Sequence, residues 1–477
     1  MTGKTEVSTG NRILLEIPGD KFTPLGLAIK LRARALLESA SFHKGRERYS
    51  ILLLQEAFTL KQSRDELLLL IDSGREGWKR LTLESGDILD VLAGFAGEHA
   101  DFQPEFPFPA GGIGYLAYEY CRRFDTIRLR ERDDPLDLPE ACFLFGHLYL
   151  IYDHYTERIT LVGINYREHQ IDLEQALRDT VARIGDLDFN FLTEPRASYP
   201  AEVLPQEGER ERFLEGVRSL RGEIVAGNLL QGVLSRRLTV RTGLPALDAY
   251  RSLRSFNPSP YLFYLDFDRF QLFGASPEVH VKVKKGRVTI RPLAGTRRRG
   301  TSEGEEARLE KELLTDEKER AEHLMLVDLA RNDLGRVCRP GSVRVTESMA
   351  IEKYSHVMHL VSQVEGELAA PKAGIDAIRA TFPAGTVSGA PKIRAIETLD
   401  TLEPQRRGFY AGIVGYVEPG GGLDTCITIR SAVKLRDRLV LQAGAGVVYD
   451  SVPEREYEET EAKLRALTAA AGLEVNP

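Results

Sequence analysis

Short runs of β-branched and aromatic residues follow one another through the second half of the chain without the regular strand–helix alternation of a parallel doubly wound sheet. Val279–Val283 and Val288–Ile290 are joined only by Lys284-Lys-Gly286, a hairpin signature. Phe409–Val417, Leu423–Ile429 and Leu439–Ala443 follow beside Gly-rich turns. This order selects an α+β fold with large antiparallel β-sheets forming a sandwich-like core and helices flanking it.

In the first half, the apolar periodicity of Leu25 to Leu37 predicts a helix and Tyr49–Leu54 a strand. Cys142–Leu148, Tyr149–Tyr152 and Arg158–Ile164 predict further strands. Asp186–Glu207 holds Pro195, Pro200 and Pro205 among polar residues and reads as a linker or crossover. Two lobes are therefore expected, 1–204 and 205–477, sharing the sheet core. Two strong helices are predicted at Glu305–Leu334, ending near Gly335, and at Glu454–Ala470, following a proline suited to a helix start.

The 477 residues carry a formal charge of −7 and 42% hydrophobic residues, an ordinary globular composition. No extended basic tract is present, which argues against nucleic-acid binding. No run reaches the roughly 18 to 20 apolar residues of a membrane span. The first residues, with Lys4, Glu6, Arg12, Glu16 and Asp20, lack the apolar stretch of a signal peptide. A cytoplasmic protein is expected. Cys121, Cys142, Cys338 and Cys426 have neither zinc-site spacing nor disulfide density, so reduced, buried thiols are expected.

Both strong helices carry glutamate pairs with a spacing of three, Glu319 with Glu322 and Glu456 with Glu459. That spacing places each pair on one helical face. If the faces converge, the carboxylates make an oxygen-rich site suited to Mg²⁺ and an anionic ligand. Spacing alone more often marks a solvated face, since glutamate favours helices and both segments are rich in it.

Longer motifs surround these helices: Tyr354-Ser-His-Val-Met-His359-Leu-Val-Ser362, Phe382-Pro-Ala-Gly-Thr386-Val-Ser-Gly389-Ala-Pro391-Lys392, Leu423-Asp-Thr-Cys-Ile-Thr-Ile-Arg430, Gln442-Ala-Gly444-Ala-Gly446 and Arg291-Pro-Leu-Ala294-Gly295-Thr296. In order and spacing they resemble the chorismate-utilising enzymes, most closely the large subunits (component I) of anthranilate synthase. The resemblance covers roughly residues 210–470. It is weaker at Leu36-Leu-Glu38-Ser39-Ala40 and at Phe106-Pro-Phe-Pro-Ala-Gly-Gly112.

The resemblance implies a set of roles. Chorismate carries two carboxylates, a ring hydroxyl and an enolpyruvyl ether. Glu322 and Glu459 are implied as magnesium ligands, with Glu456 and Glu319 supporting them. Lys463, one turn beyond Glu459, offsets their charge, or makes only an ordinary i,i+4 pair. His359 is implied in assisting departure of the ring hydroxyl; a satisfied core histidine is the alternative. Tyr410 and Arg430 are implied to hold the enolpyruvyl carboxylate, with an ordinary strand Arg–Asp pair as the alternative. Gly295, Thr296 and Thr386 are implied to line the ring pocket. Gly444, Ala445 and Gly446 are implied as a loop touching substrate carboxylate, where the glycines would admit close backbone approach; a tight turn is the plain reading. The Arg297-Arg-Arg299 run reads as a mainly solvated loop.

Two positions bear on the nucleophile. Relatives that use water carry a lysine base where this chain has Gln231, and relatives making 4-amino-4-deoxychorismate commonly carry a lysine where it has Ala294. With neither lysine, attack by ammonia at carbon 2 is implied, giving anthranilate and pyruvate, with Glu319 and His359 both open as the group that removes the carbon 2 proton. The rivals are an aminodeoxychorismate or isochorismate synthase of the same fold, or a non-catalytic paralogue that binds chorismate or tryptophan. None of the four cysteines sits in a glutaminase elbow, so ammonia is expected from a separate glutamine amidotransferase subunit in a hetero-oligomer. Glu38 and Ser39, with Pro260, Tyr261 and Leu262, resemble the motifs for feedback inhibition by L-tryptophan. A basic residue after the first motif is expected among Lys44, Arg46 and Arg48.

Overall fold

A computed structural model of the chain describes residues 4–8, 11–39, 48–64, 66–71, 78–81, 87–132, 134–186, 199–354 and 357–473. Among them, 23 strands join into one continuous antiparallel network. Strands from both halves of the chain pair directly: Ala35–Glu38 with Tyr261–Asp266, and Ile113–Leu116 with Ile413–Val417.

The period-two alternation of side chains divides the apolar residues between two cores. In strand Ala141–Asp153, Tyr149 and Ile151 enter the larger core while Leu148, Leu150 and Tyr152 enter the second. Phe263 and Leu265 part from Leu262 and Tyr264 in the same way, as Val440 does from Leu439 and Leu441. The larger core lies inside the sandwich. The second lies under helices Pro24–Leu31, Leu173–Gly185, Ala246–Phe256 and Pro453–Ala470, which contribute Leu27, Leu177, Tyr250 and Leu467. The α+β expectation holds. No described helix is long and apolar enough to cross a membrane, and all four cysteines are free and buried.

Several element boundaries differ from the sequence reading. Helix Pro24–Leu31 stops where Arg32 turns left-handed (φ 56°), and Ala35–Glu38 is a strand. The run from Leu25 to Leu37 is thus a helix and then a strand. Tyr149 lies within one continuous strand, Ala141–Asp153, because a strand buried on both faces has no polar alternation to mark its course. Tyr49–Ser63 continues well past Leu54, with register shifts around Gln55 and Glu56, and Arg34 pairs with Glu56 at 2.9 Å. Strand Ile413–Val417 begins four residues after Phe409, and Leu423–Ile427 stops short of Ile429. The predicted hairpin forms, with Lys282 opposite Thr289. Most of the proline-rich linker, 187–198, lies outside the described residues.

The long helix expected at 305–334 is two, Glu303–Thr315 and Glu317–Gly335. Asp316 ends one and caps the other, its carboxylate accepting the backbone N–H groups of Lys318 and Glu319 at 3.0 and 3.1 Å. The cap sets the rotation of the second helix and hence the aim of Glu319 and Glu322.

Candidate active site

Helix Glu317–Gly335 and helix Pro453–Ala470 bring their glutamates to one place. Burial is the main cause that pushes the Glu322 carboxyl above the usual carboxylate range, and the charges of Glu319 and Glu459 add to it. Gln231 opposes the shift by donating from Nε2 to Glu322 Oε1 at 3.2 Å. Glu456 is also raised, by burial first and then by Glu459. Lys463 Nζ lies 2.6 Å from Glu459 Oε1 and donates to the Gly444 carbonyl at 2.8 Å, tying the helix to the neighbouring strand. Glu319 is engaged by Arg297 at 2.9 Å.

Glu322 and Glu456 are partly buried and each is raised further by a neighbouring carboxylate, so a divalent cation would relieve them. No three His, Cys, Asp or Glu side chains among the described residues already surround a single point. One carboxylate from each helix, Glu322 and Glu459, with water and an anionic ligand completing the shell, suits Mg²⁺, which seldom takes an all-protein cage. The residues present therefore fit that ion.

Across the site lies Arg430, whose guanidinium has no ion pair among the described residues; burial lowers its pKa, with Tyr410 and Glu459 acting in the opposite sense. A buried cation without a carboxylate awaits an anion. The strand Arg–Asp alternative does not occur among the described residues. Arg430 also holds a left-handed backbone (φ 49°), a strain of about 1 kcal/mol for a residue with a Cβ, which directs it out of the ladder. Burial raises the Tyr410 hydroxyl to about 12, against the pull of Arg407 and Arg430. Gly444, Ala445 and Gly446 form no loop. They lie within strand Arg438–Val447, opposite Ser235, Leu234 and Val233. Glycine is needed there for close approach: a Cβ on Gly444 would stand 3.0 Å from Tyr410 Oη, and one on Gly446 2.8 Å from Gln231 Nε2.

His359 occupies the ring-pocket wall, in strand Val357–Glu367 opposite Thr296. Its Nδ1 is 3.0 Å from Thr296 Oγ1 and 3.2 Å from the Gly295 carbonyl. Burial, reinforced by Arg430, pulls its pKa down to about 4, so at neutral pH the ring is uncharged. Gly295 takes a positive φ of 66°, and a Cβ there would come within 3.1 Å of Glu319 Oε2. Thr386, on the short turn Gly385–Ser388, has a buried Oγ1 within reach of the Glu278 carboxyl.

Beside Thr386 is a residue that sequence reasoning missed. Glu278 is fully buried, and its carboxyl is pushed up to about 8 by burial, partly offset by Thr386 and Lys463. It remains protonated at neutral pH. Glu278 also acts electrostatically on Tyr354, whose ring centroid is 5.4 Å from that of His359. The only signal for it was a glutamate closing an apolar run, Gly274-Ala-Ser-Pro-Glu278.

The arginine run is not a solvated loop. Arg297 and Arg298 lie in strand Leu293–Arg298; Arg297 pairs with Glu312, Asp316 and Glu319, Arg298 with Glu305, and Arg299 with Glu306. These pairs fasten helices Glu303–Thr315 and Glu317–Gly335 to the sheet. Ala294, in the same strand, is buried opposite Leu360.

A second cavity is lined by Glu38, Ser39, Pro260, Tyr261 and Leu262, with Asp424 behind them. Among the described residues, Ser39 Oγ is buried with no hydrogen-bond partner. Glu38 is bonded to Tyr250 at 2.8 Å and Arg254 at 3.1 Å, and Tyr261 donates to Asp424 at 2.8 Å. Arg48 lies outside this lining and pairs with Asp153 at 2.6 Å. Ala40, Lys44 and Arg46 lie outside the described residues.

Comparison with known proteins follows the same lines. The pattern describing chorismate binding enzymes matches residues 57–469. Anthranilate synthase component 1 of Spirochaeta aurantia is 59% identical, covering 97% of this chain and 96% of that protein. Its counterpart in Aquifex aeolicus is 41% identical over 95% and 93%. The crystal structure of anthranilate synthase component I from Streptococcus pneumoniae superimposes with a TM-score of 0.79 at 35% identity, covering 90% and 93% of the two chains. The menaquinone-specific isochorismate synthase of Escherichia coli, at 19% identity and a TM-score of 0.70, shares the fold. With that extent of match over a site short of cations at one end and of anions at the other, this chain belongs to the chorismate binding enzyme family, among the anthranilate synthase component 1 proteins.

Proposed function

We propose that this chain converts chorismate and ammonia to anthranilate and pyruvate, the ammonia coming from a separate glutaminase subunit. The observation that carries the reading is the polarity of the pocket: Arg430, desolvated and without an ion pair among the described residues, lies within electrostatic reach of Glu459, which clusters with Glu322. That spacing of charge demand suits a dianion gripped at one end by a guanidinium and at the other through a cation. Gln231 and Ala294 stand where the lysines of the rival chemistries would be, which favours ammonia as nucleophile.

Magnesium, held by Glu322 and Glu459, would supply the charge that fixes the ring carboxylate. Arg430 pairs with the enolpyruvyl carboxylate through its planar fork, and Tyr410 adds a hydroxyl donor. Lys463, anchored on the Gly444 carbonyl, keeps Glu459 in place. Protonated Glu278, next to Thr386, gives its proton to the departing carbon 4 hydroxyl, which leaves as water while ammonia bonds to carbon 2. His359, uncharged in the free protein, gains basicity once a dianion enters beside it. It orients the hydroxyl through its bonds to Thr296 and Gly295, and is placed to accept a proton. Removing the carbon 2 proton expels pyruvate and leaves an aromatic ring.

The second cavity, with a Ser39 hydroxyl unpartnered among the described residues, supports L-tryptophan as a feedback ligand. Glu38 is already shared by Arg254 and Tyr250, so the ligand's ammonium would compete with Arg254 for it. Activity in the cytoplasm belongs to the same reading, supported by four buried, unbridged cysteines. The test is fluorescence of anthranilate from chorismate, magnesium and ammonium, with and without EDTA. Signal with ammonium but not with glutamine, restored by the glutaminase, is expected. Absence of anthranilate with metal and ammonium present would refute the reading.

A further inference from the structure

Beside the first turn of helix Glu209–Val225 a cleft opens against strand Gln231–Thr242. Arg237, on its wall, is six residues along the strand from Gln231, about 20 Å at the rise of an extended chain, so the cleft lies apart from the carboxylate cluster. Phe213, Leu234 and Leu402 give it an apolar wall at the end of a small core under helices Glu209–Val225 and Lys392–Leu402. Three arginines, at 212, 236 and 237, and two glutamates, at 209 and 403, also reach it. Both glutamates are engaged. Glu403 is held by Arg407 and accepts the Ser235 N–H and hydroxyl, each at 2.8 Å. Glu209 Oε2 accepts from Tyr457 at 3.2 Å and from Arg236 at 3.5 Å. Arg236 also donates to Thr460 Oγ1 at 2.6 Å and lies over the Tyr457 ring.

Arg237 differs from these. It is 8% exposed, and no carboxylate among the described residues pairs with it; Asp134, Glu119 and Glu403 act on it only through space. Nη2 donates to the Arg406 carbonyl and Nε to Gln442 Oε1 at 3.4 Å, but Nη1 has no acceptor among the described residues. A desolvated guanidinium with an idle pair of N–H donors lacks an anion. We propose that this cleft binds a small monocarboxylate with an apolar body, its carboxylate on Arg237 Nη1 and its body against Phe213, Leu234 and Leu402. A guanidinium matches a carboxylate, and apolar walls with few polar groups match a body that sheds water. Arg212, exposed on the rim, adds positive charge there. The site is separate from the chorismate pocket and does not depend on the anthranilate-forming reading.

The test is calorimetric titration of the full chain with benzoate, benzamide and inorganic phosphate. Benzoate should bind with a Kd on the order of 1 mM. Benzamide, without the charge, and phosphate, without the apolar body, should bind at least about tenfold more weakly. Arg237→Met should weaken benzoate about tenfold or more. That variant also loses the bond to the Arg406 carbonyl, so Arg212→Glu on the exposed rim is the second: a like charge at the mouth should weaken benzoate about three- to tenfold with the melting temperature unchanged. Benzoate held in the chorismate pocket would respond to neither variant. No benzoate binding, equal binding of benzamide or phosphate, or an affinity unmoved by Arg212→Glu would overturn the proposal.

Discussion

Replacing Arg407 by methionine should destabilise the protein more than replacing Arg407 and Glu403 together. Arg407 is 1% exposed and donates to Glu403 Oε1 and Oε2 at 2.7 and 2.8 Å, to the Val387 carbonyl at 2.7 Å and to the Val233 carbonyl at 2.5 Å. Its guanidinium also lies over the ring of Tyr118, 4.5 Å from the centroid. Removing one member of a buried ion pair strands the other, at roughly 3–5 kcal/mol. Two carbonyls losing a donor add about 1 kcal/mol each. At about 2.1 cal/mol/K per residue, the 477-residue chain unfolds with an entropy near 1 kcal/mol/K. The single variant should therefore melt roughly 5–7 °C lower. In Arg407→Met with Glu403→Gln no charge is stranded, and the drop should shrink to roughly 2 °C. Differential scanning calorimetry reads both effects. A double variant that melts no higher than the single would refute the argument that the stranded charge dominates. Both should lose turnover, since Val387 adjoins Thr386 and Val233 is two residues from Gln231.

Glu278→Gln removes a proton held up to about pH 8 and should lower kcat by about 10²–10⁴, while abolishing the parent's alkaline decline near pH 8; an unchanged pH–rate profile would dismiss it as the acid. The sign is that of a raised carboxyl: the parent's stability from this group is greatest below pH 4.5 and falls as pH rises toward 8, a slope the variant should lack in urea titrations. Arg430→Lys keeps charge but loses the fork, and should lower kcat/KM for chorismate about tenfold or more, chiefly through KM. Ser39→Phe should fill the second cavity and abolish inhibition by tryptophan with kcat retained; inhibition unaffected by the substitution would remove tryptophan from that cavity.

What could be read from the sequence followed local rules. Three-residue spacing put the paired glutamates on single helical faces, Pro453 marked a helix start, and Lys284-Lys-Gly286 marked a hairpin. Long-range pairing hid the rest. Asp316 reads as one more charge in a helix until its carboxylate meets two backbone N–H groups and Arg297. Arg297 itself reads as solvated because its three carboxylate partners lie 15 to 22 positions away. Glu403 and Arg407 look like an exposed i,i+4 pair, and only the packing of Tyr118 and strand Gln231–Thr242 around them buries it. Glu278 owes its proton wholly to burial, which a single strand cannot reveal. Strand Ala141–Asp153 was divided in reading because burial on both faces erases the alternation by which strands are recognised.

The central claim is that Glu322 and Glu459 jointly hold a cation that in turn holds chorismate. Calorimetric titration of chorismate at several magnesium concentrations tests it most directly. Coupled binding is predicted, each ligand tightening the other, with the coupling lost in Glu322→Gln and in Glu459→Gln. Chorismate affinity independent of magnesium, in a protein that still binds both, would contradict the account.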